Sequence, residues 1–271
     1  MKPKITAALW TMSAIGAVLL SLLYMLPSLT QGQDQAQLLY DCKANNAVRI
    51  LFIGNSFTYV NSLPLTLAAL VSNSNTQPPA TVAQVVWGGA KLAEHLVKGG
   101  SRKCIAQDGP WTYVVLQEQS QTPVLDTERF LSAVSQFNDD IARARSKTVL
   151  YETWSDKGKP DEQSGLTNAY NRAASQTRAL LIPAGEAFAL CSRDHAEINL
   201  YDADGHHPSK EGTYLAACVF YAKLFGHSPV GLPCNLTLYD EDTKRNVSLF
   251  ALPTETAHKL QQIALTASTR R

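Results

Sequence analysis

The run Ile50-Leu51-Phe52-Ile53, leading into Gly54-Asn55-Ser56, constrains this chain more than any other stretch. Four consecutive apolar residues leave no face for solvent. A strand built from them must be buried on both sides, the condition of a parallel sheet covered by helices. Gly54 suits a sharp turn at the strand's carboxyl end. A helix is expected over 63–71. Ser56 therefore falls at the mouth of an α/β sheet, where such sheets bind ligands. A serine there can also simply cap a helix or turn, so its meaning depends on what else reaches that rim.

Read onward, apolar runs predict strands at 48–53, 81–87, 113–116, 148–152 and 181–183. Helical patterns separate them, at 91–97, 127–145, 166–180 and 185–191. In the second of these, Phe130, Val134, Phe137 and Ile141 share one face at 3.6-residue spacing. The stretch from Gly99-Gly100 to Gly109-Pro110 reads as a loop. Ser209 can cap a helix running to Phe225, with Gly226 as its stop, and 254–268 reads as a last helix. Strands alternating with helices predict a three-layer α/β/α sandwich with a parallel sheet of about five strands. The polar clusters Asn55-Ser56, Gly88-Gly89 and Gln119-Ser120 all fall at strand ends, so these loops should meet on one rim.

Residues 1–32 stand apart. Lys2 and Lys4 precede an uncharged run from Ile5 to Leu26, and Pro27 ends it. This is the layout of an export signal, and the run is also long enough to span a bilayer, for which about 20 apolar residues suffice. The layout admits a cleaved signal peptide or an uncleaved membrane anchor. Either one places the domain in the periplasm or outside the cell, with membrane contact only through this segment. Residues 33–47 read as a linker and 48–271 as the folded domain. With 24 basic and 23 acidic residues there is no basic stripe to neutralise phosphates, which argues against a nucleic-acid partner.

Export permits disulfides. Cys218, among Ala216, Ala217, Val219 and Phe220, reads as a buried free thiol. Cys42, Cys104, Cys191 and Cys234 lie in expected loops or element ends, and the pairings Cys42–Cys104 and Cys191–Cys234 are the hypothesis. No Cys-x-x-Cys pair suggests a metal.

The second informative stretch is Asp204-Gly205-His206-His207-Pro208. A serine hydroxyl is a poor nucleophile until a base takes its proton. The imidazole of His207 can do this near neutral pH. Asp204 precedes it by three residues, and a turn at Gly205 would let the carboxylate reach Nδ1 of that ring and fix its tautomer. Pro208 disfavours helical geometry at His207 and keeps it in the loop. Asp202, Asp204, His206 and His207 could instead hold a divalent cation, but no Glu-His helix pair or cysteine set completes such a site. His206 reads as a solvated neighbour or substrate contact. Glu118 fits a buried ion partner or a site residue, Glu152 and Trp154 fit pocket wall or core, and Trp87 and Tyr151 fit packing.

Taken in order, Gly54-Asn55-Ser56, Gly89 within Trp87-Gly88-Gly89-Ala90, Gln117-Glu118-Gln119-Ser120 and Asp204-Gly205-His206-His207-Pro208 resemble the blocks of the SGNH (GDSL-like) hydrolases. The resemblance spans residues 48–232. It is to a branch with Gly-Asn-Ser-Phe-Thr and Leu-Gln-Glu-Gln-Ser blocks. It implies Ser56 as nucleophile, His207 as base, Asp204 behind it, and an oxyanion hole from the Ser56 and Gly89 backbone N–H groups and the Gln119 amide. Gln119 stands where the family has an asparagine, and Gln117 is the other candidate donor. The implied protein is a serine esterase needing no metal or cofactor. Its substrate would be a small-molecule or polysaccharide ester, with O-acetyl groups on a carbohydrate favoured by export. An O-acyltransferase on the same triad, or a catalytically silent glycan-binding domain, are the other readings.

Overall fold

The computed structural model describes residues 36–74, 78–240 and 244–270; the segment read as an export signal lies outside them. Six strands form the central sheet: β1 (Gln37–Tyr40), β2 (Val48–Gly54), β3 (Ala80–Val86), β4 (Tyr113–Leu116), β5 (Lys147–Tyr151) and β6 (Leu180–Ile182), in the order β1-β3-β2-β4-β5-β6. All pairs are parallel except β1–β3. β2 lies at the centre, with Ile50 paired to Val82 on one side and Tyr113 on the other. The chain turns one way from β2 to β3 and the other way to β4. The carboxyl ends of β2 and β4 thus flank the topological switch point, where such sheets bind ligands.

Helices cover both faces. α1 (Ser56–Tyr59) and α2 (Leu63–Asn73) follow β2; α3 (Leu92–Lys98) and α4 (Gly100–Gln107) follow β3; α5 (Thr122–Leu125) and α6 (Thr127–Arg143) follow β4. α7 (Gln163–Thr177) precedes β6, and α8 (Ala184–Asp194), α9 (Lys210–Phe225) and α10 (Thr254–Thr269) complete the layers. Alternate residues of β2 enter two separate cores. Ile50 and Phe52 pack with residues of α2, α8, α9 and α10. Leu51 and Ile53 pack with residues of α3, α4, α6 and α7. All four are fully buried, each such side chain contributing about 1.5–3 kcal/mol. This double burial is why the run has no polar alternation. α9 is apolar on nearly all sides because it is wedged among α2, α8 and α10.

Three features of the fold depart from the sequence reading. Gln37–Tyr40, inside the expected linker, is an antiparallel edge strand on β3, with Gln84 Nε2 donating to Gln37 Oε1 at 3.0 Å. The ordered fold therefore begins before Val48. The expected loop after Gly99 is helix α4. Gly99, at φ +78, ends α3 and admits a new helix direction, and Ser101, Cys104 and Ile105 bury one face of it. Residues 235–251 hold an unforeseen hairpin, β7 (Asn235–Asp240) with β8 (Arg245–Ala251), apart from the main sheet.

The two disulfides are not formed, and all five cysteines are free. Cys42 Sγ lies 3.4 Å from Thr81 Oγ1, and Cys234 Sγ lies 3.8 Å from Thr254 Oγ1. Their expected partners, Cys104 and Cys191, are buried inside helices α4 and α8 rather than lying in loops. Burial pushes both of those thiols up to about 12, which keeps them protonated and inert.

Candidate active site

Ser56 owes its position to the way β2 ends. A Cβ on Gly54 would lie 2.5 Å from Gln117 Oε1 and 2.8 Å from Thr58 Oγ1. Glycine is required here by close approach rather than by the sharp turn expected from sequence. Asn55 then caps α1, its Oδ1 accepting from Phe57 N at 3.1 Å. Its Nδ2 donates to Ala90 O at 2.9 Å, and its own N–H donates to Gln117 Oε1 at 2.9 Å. One buried asparagine thus ties together the loops after β2, β3 and β4. The buried His95 supports the same corner. Its Nε2–H donates to Gly54 O at 3.0 Å, so Nδ1 accepts from Ser101 Oγ at 2.8 Å. Burial lowers the His95 pKa to about 3, so the ring is neutral.

The loop 200–209 brings the second half. Tyr201 bridges Pro208, Asp202 N donates to His207 O, and Ser209 N donates to Leu200 O. Ser209 caps α9 through Gly212 N, as expected from sequence. Gly205 takes φ +68, and this lets Asp204 fold back. Its Oδ1 accepts from the backbone N–H of His206 and His207, both at 2.9 Å. Its Oδ2 accepts from His207 Nδ1 at 2.6 Å. The His207 bond, then the backbone bonds, hold the Asp204 carboxyl well below the usual carboxylate range, although the residue is exposed. With Nδ1–H committed, His207 Nε2 accepts from Ser56 Oγ at 2.8 Å. Ser56, His207 and Asp204 therefore form a continuous hydrogen-bonded chain. Asn61 adds a clamp between the two halves, its Nδ2 donating to Pro208 O at 2.8 Å from a left-handed backbone of φ +53.

The three expected oxyanion donors lie on the loops that these bonds join. Ser56 N is in the first turn of α1, where helical N–H groups lack intrahelical acceptors. Gly89 is exposed, with φ +66 and open space where a Cβ would stand. The two glutamines differ. Gln117 is fully buried, and its Nε2 donates to Asn55 Oδ1 and Glu118 O, so both its N–H groups are committed. Gln119 is half-buried. Its Oε1 accepts from Gln121 N, Thr122 N and Thr122 Oγ1, and its Nε2 donates to Ser120 Oγ at 3.0 Å, leaving one N–H over.

Beneath the site lies an aromatic stack. Phe57 stacks on Trp154 at 4.7 Å, and Trp154 on Phe188 at 3.9 Å. The Phe57 ring also meets His206 and His207. Two buried acids brace the surrounding loops. Glu118 Oε1 accepts from Leu92 N and Gln119 N, and burial pushes its pKa up to about 7. Glu152 Oε1 accepts from Gln163 Nε2 and Thr167 Oγ1, and burial pushes its pKa up to about 8. Gln163 Oε1 in turn accepts from Ser155 N. Trp87 packs on His95, and Tyr151 is core.

Sequence reading missed the partners that come from distant loops. Asp156, after β5, accepts from His206 Nδ1 at 2.5 Å. No spacing could have revealed it. Asn61 and His95 also carry no motif. The four residues considered as a metal cluster are otherwise engaged: His206 with Asp156, His207 with Asp204, and Asp202 Oδ1 with Ala203 N. Among the described residues no three His, Cys, Asp or Glu side chains are grouped to hold a cation. No helix among them is long and apolar enough to cross a membrane.

An α/β/α sandwich with a Ser–His–Asp chain at its switch point defines a hydrolase-type site. No family model and no curated protein matches the chain. Solved structures do. A protein of Slackia heliotrinireducens assigned to the SGNH hydrolases is 32% identical, with a TM-score of 0.57, over 66% of this chain and 100% of that one. The chain belongs to the SGNH hydrolase family. A DUF4886 family protein from Bacteroides uniformis shares the fold at 17% identity, with a TM-score of 0.61, over 82% of this chain and 94% of that one. So does a variant of the acetyl-xylooligosaccharide esterase Axe2 from Geobacillus, at 16% identity and TM-score 0.54, over 69% and 98%.

Proposed function

We propose that the chain is an exported serine esterase that removes O-acyl groups from a hydroxyl-rich substrate, O-acetyl groups on a carbohydrate being the best fit. The observation that supports this most is the unbroken chain Ser56 Oγ, His207 Nε2, His207 Nδ1, Asp204 Oδ2, with a link of 2.8 Å between residues 151 apart in sequence and one of 2.6 Å between residues three apart. Ser56 Oγ attacks the ester carbonyl as His207 takes its proton. Asp204 stabilises the imidazolium. The Ser56 and Gly89 N–H groups and the remaining Gln119 N–H receive the oxyanion, each such donor contributing about 2.7–4 kcal/mol to the transition state. His207 returns the proton to the departing alcohol, and water, activated by the same ring, clears the acyl group from Ser56.

The charged start and uncharged run of residues 1–32 support export. The sugar-ester reading draws on Axe2, an acetyl-xylooligosaccharide esterase, among the proteins of similar fold. Substituting Ser56→Ala should lower turnover of a short acyl ester by at least about 10⁴-fold while circular dichroism and Tm stay near those of the parent. Activity retained at the parent level would remove Ser56 from the reaction.

A further inference from the structure

His206 and His207 are adjacent and similarly held, yet only one meets Ser56. The Asp156 carboxylate can only accept, so His206 Nδ1–H donates to it at 2.5 Å. In the neutral ring, Nε2 is then a pure acceptor, and it makes no hydrogen bond within the described protein. The two side chains are 33% and 28% exposed. A pair that open to water adds little to stability, so holding the fold does not account for it. The two imidazoles stand edge to face with centroids 5.1 Å apart. Trp154 Nε1 donates to His206 O, and the His206 ring rests on Phe57, which fixes it beside the Ser56–His207 bond. Asp156 also borders a cavity of about 500 Å³, whose walls include Lys157, Ser192, Asn199 and Tyr201. That size falls in the range of small-molecule sites, about 300–1,000 Å³.

We propose that His206, oriented by Asp156, is a subsite for the alcohol half of the ester, with the cavity that Asp156 borders taking the more distant part of that group. The subsite takes a hydroxyl-rich group such as a glycosyl unit, and His206 Nε2 accepts a hydrogen bond from a hydroxyl near the scissile ester. This rests on the esterase reading above. His206 is then a specificity-determining residue, because a site built to bind a hydroxyl discriminates strongly against a substrate lacking one.

The experiment compares kcat/KM for an acetylated methyl xyloside with that for 4-nitrophenyl acetate, whose leaving group bears no further hydroxyl. It uses the full chain, His206→Phe, Asp156→Asn and Ala189→Trp, the last placing bulk in the cavity. Each variant should lower the ratio of the two constants about tenfold, carried by KM for the xyloside. A merely structural role would lower both constants together and leave the ratio unchanged, and that result overturns the subsite. So does an unchanged ratio at full activity. If the unmodified protein turns over 4-nitrophenyl acetate but not the acetylated xyloside, the subsite fails and the esterase reading stands. If it turns over neither, both fall.

Discussion

Two imidazole–carboxylate pairs sit side by side at the rim of this molecule, and they differ in where their acids come from. Asp204 reaches His207 Nδ1 at 2.6 Å from three residues away, inside one turn. Asp156 reaches His206 Nδ1 at 2.5 Å from a loop on another strand, 50 residues away. The first pair is completed by Ser56 at 2.8 Å; the second has its carboxylate, Asp156, on the wall of a cavity. In the roles proposed above, the same arrangement, an imidazole oriented by a carboxylate, would serve two ends, and what Nε2 meets would decide between proton transfer and recognition.

The contrast can be broken by exchanging the acids. Asp204→Asn should lower kcat for 4-nitrophenyl acetate about 10⁴-fold, because an amide no longer selects the tautomer that can take the Ser56 proton. Asp156→Asn should cost that substrate far less. Similar losses in steady-state assays would mean that both pairs serve the chemistry.

The next effect concerns the two glutamines. Gln119→Ala should lower kcat about 10²-fold with little change in Tm, as the loss of one oxyanion donor does. Gln117→Ala should act chiefly on Tm, since it strands Asn55 and Thr58 groups that are bonded to it in the buried corner. A reversal of these two outcomes would move the donor to Gln117.

A smaller effect is expected at the clamp between the halves. Asn61→Gly keeps the left-handed backbone accessible and removes only the bond to Pro208 O. A fall in kcat of about fivefold, on the order of one hydrogen bond, should follow with Tm nearly unchanged.

How much of this was legible in the sequence follows from which interactions are local. The β2 run Ile50–Ile53 announced a doubly covered strand because both its faces are buried. The Asp204–His207 spacing was readable because a single turn closes it. Ser209 and Gly226 marked the ends of α9, since caps are local. The edge strand Gln37–Tyr40 escaped because it is held by pairing to β3 rather than by its own pattern. The cysteines misled because an export signal would permit bridges, whereas all five thiols are free and Cys104 and Cys191 are buried inside helices. Asp156, Asn61 and the glutamine network depend on loops that meet only once the sheet is assembled.

The smallest predicted effect tests the bracing beneath the Asp156 loop. The Glu152 carboxyl is pushed up to about 8 by burial, from an ordinary 4.5. Between those values the folded state holds a proton that the unfolded chain has released. Stability from this group is therefore full below about 4.5 and is lost as pH rises through about 8. Glu152→Gln keeps an oxygen for Gln163 and Thr167 and cannot ionise. The drop in Tm from about pH 6 to about pH 9 should be smaller in this variant than in the parent. An equal drop would place the titration elsewhere.

The claim at the centre is that Ser56 is an activated nucleophile. Treating the folded protein with a fluorophosphonate and mapping the adduct by peptide mass tests it most directly. One adduct per chain, on the peptide carrying Ser56 and lost in His207→Ala, is the predicted result. A folded protein that takes no label, or takes it on another residue, would contradict the account.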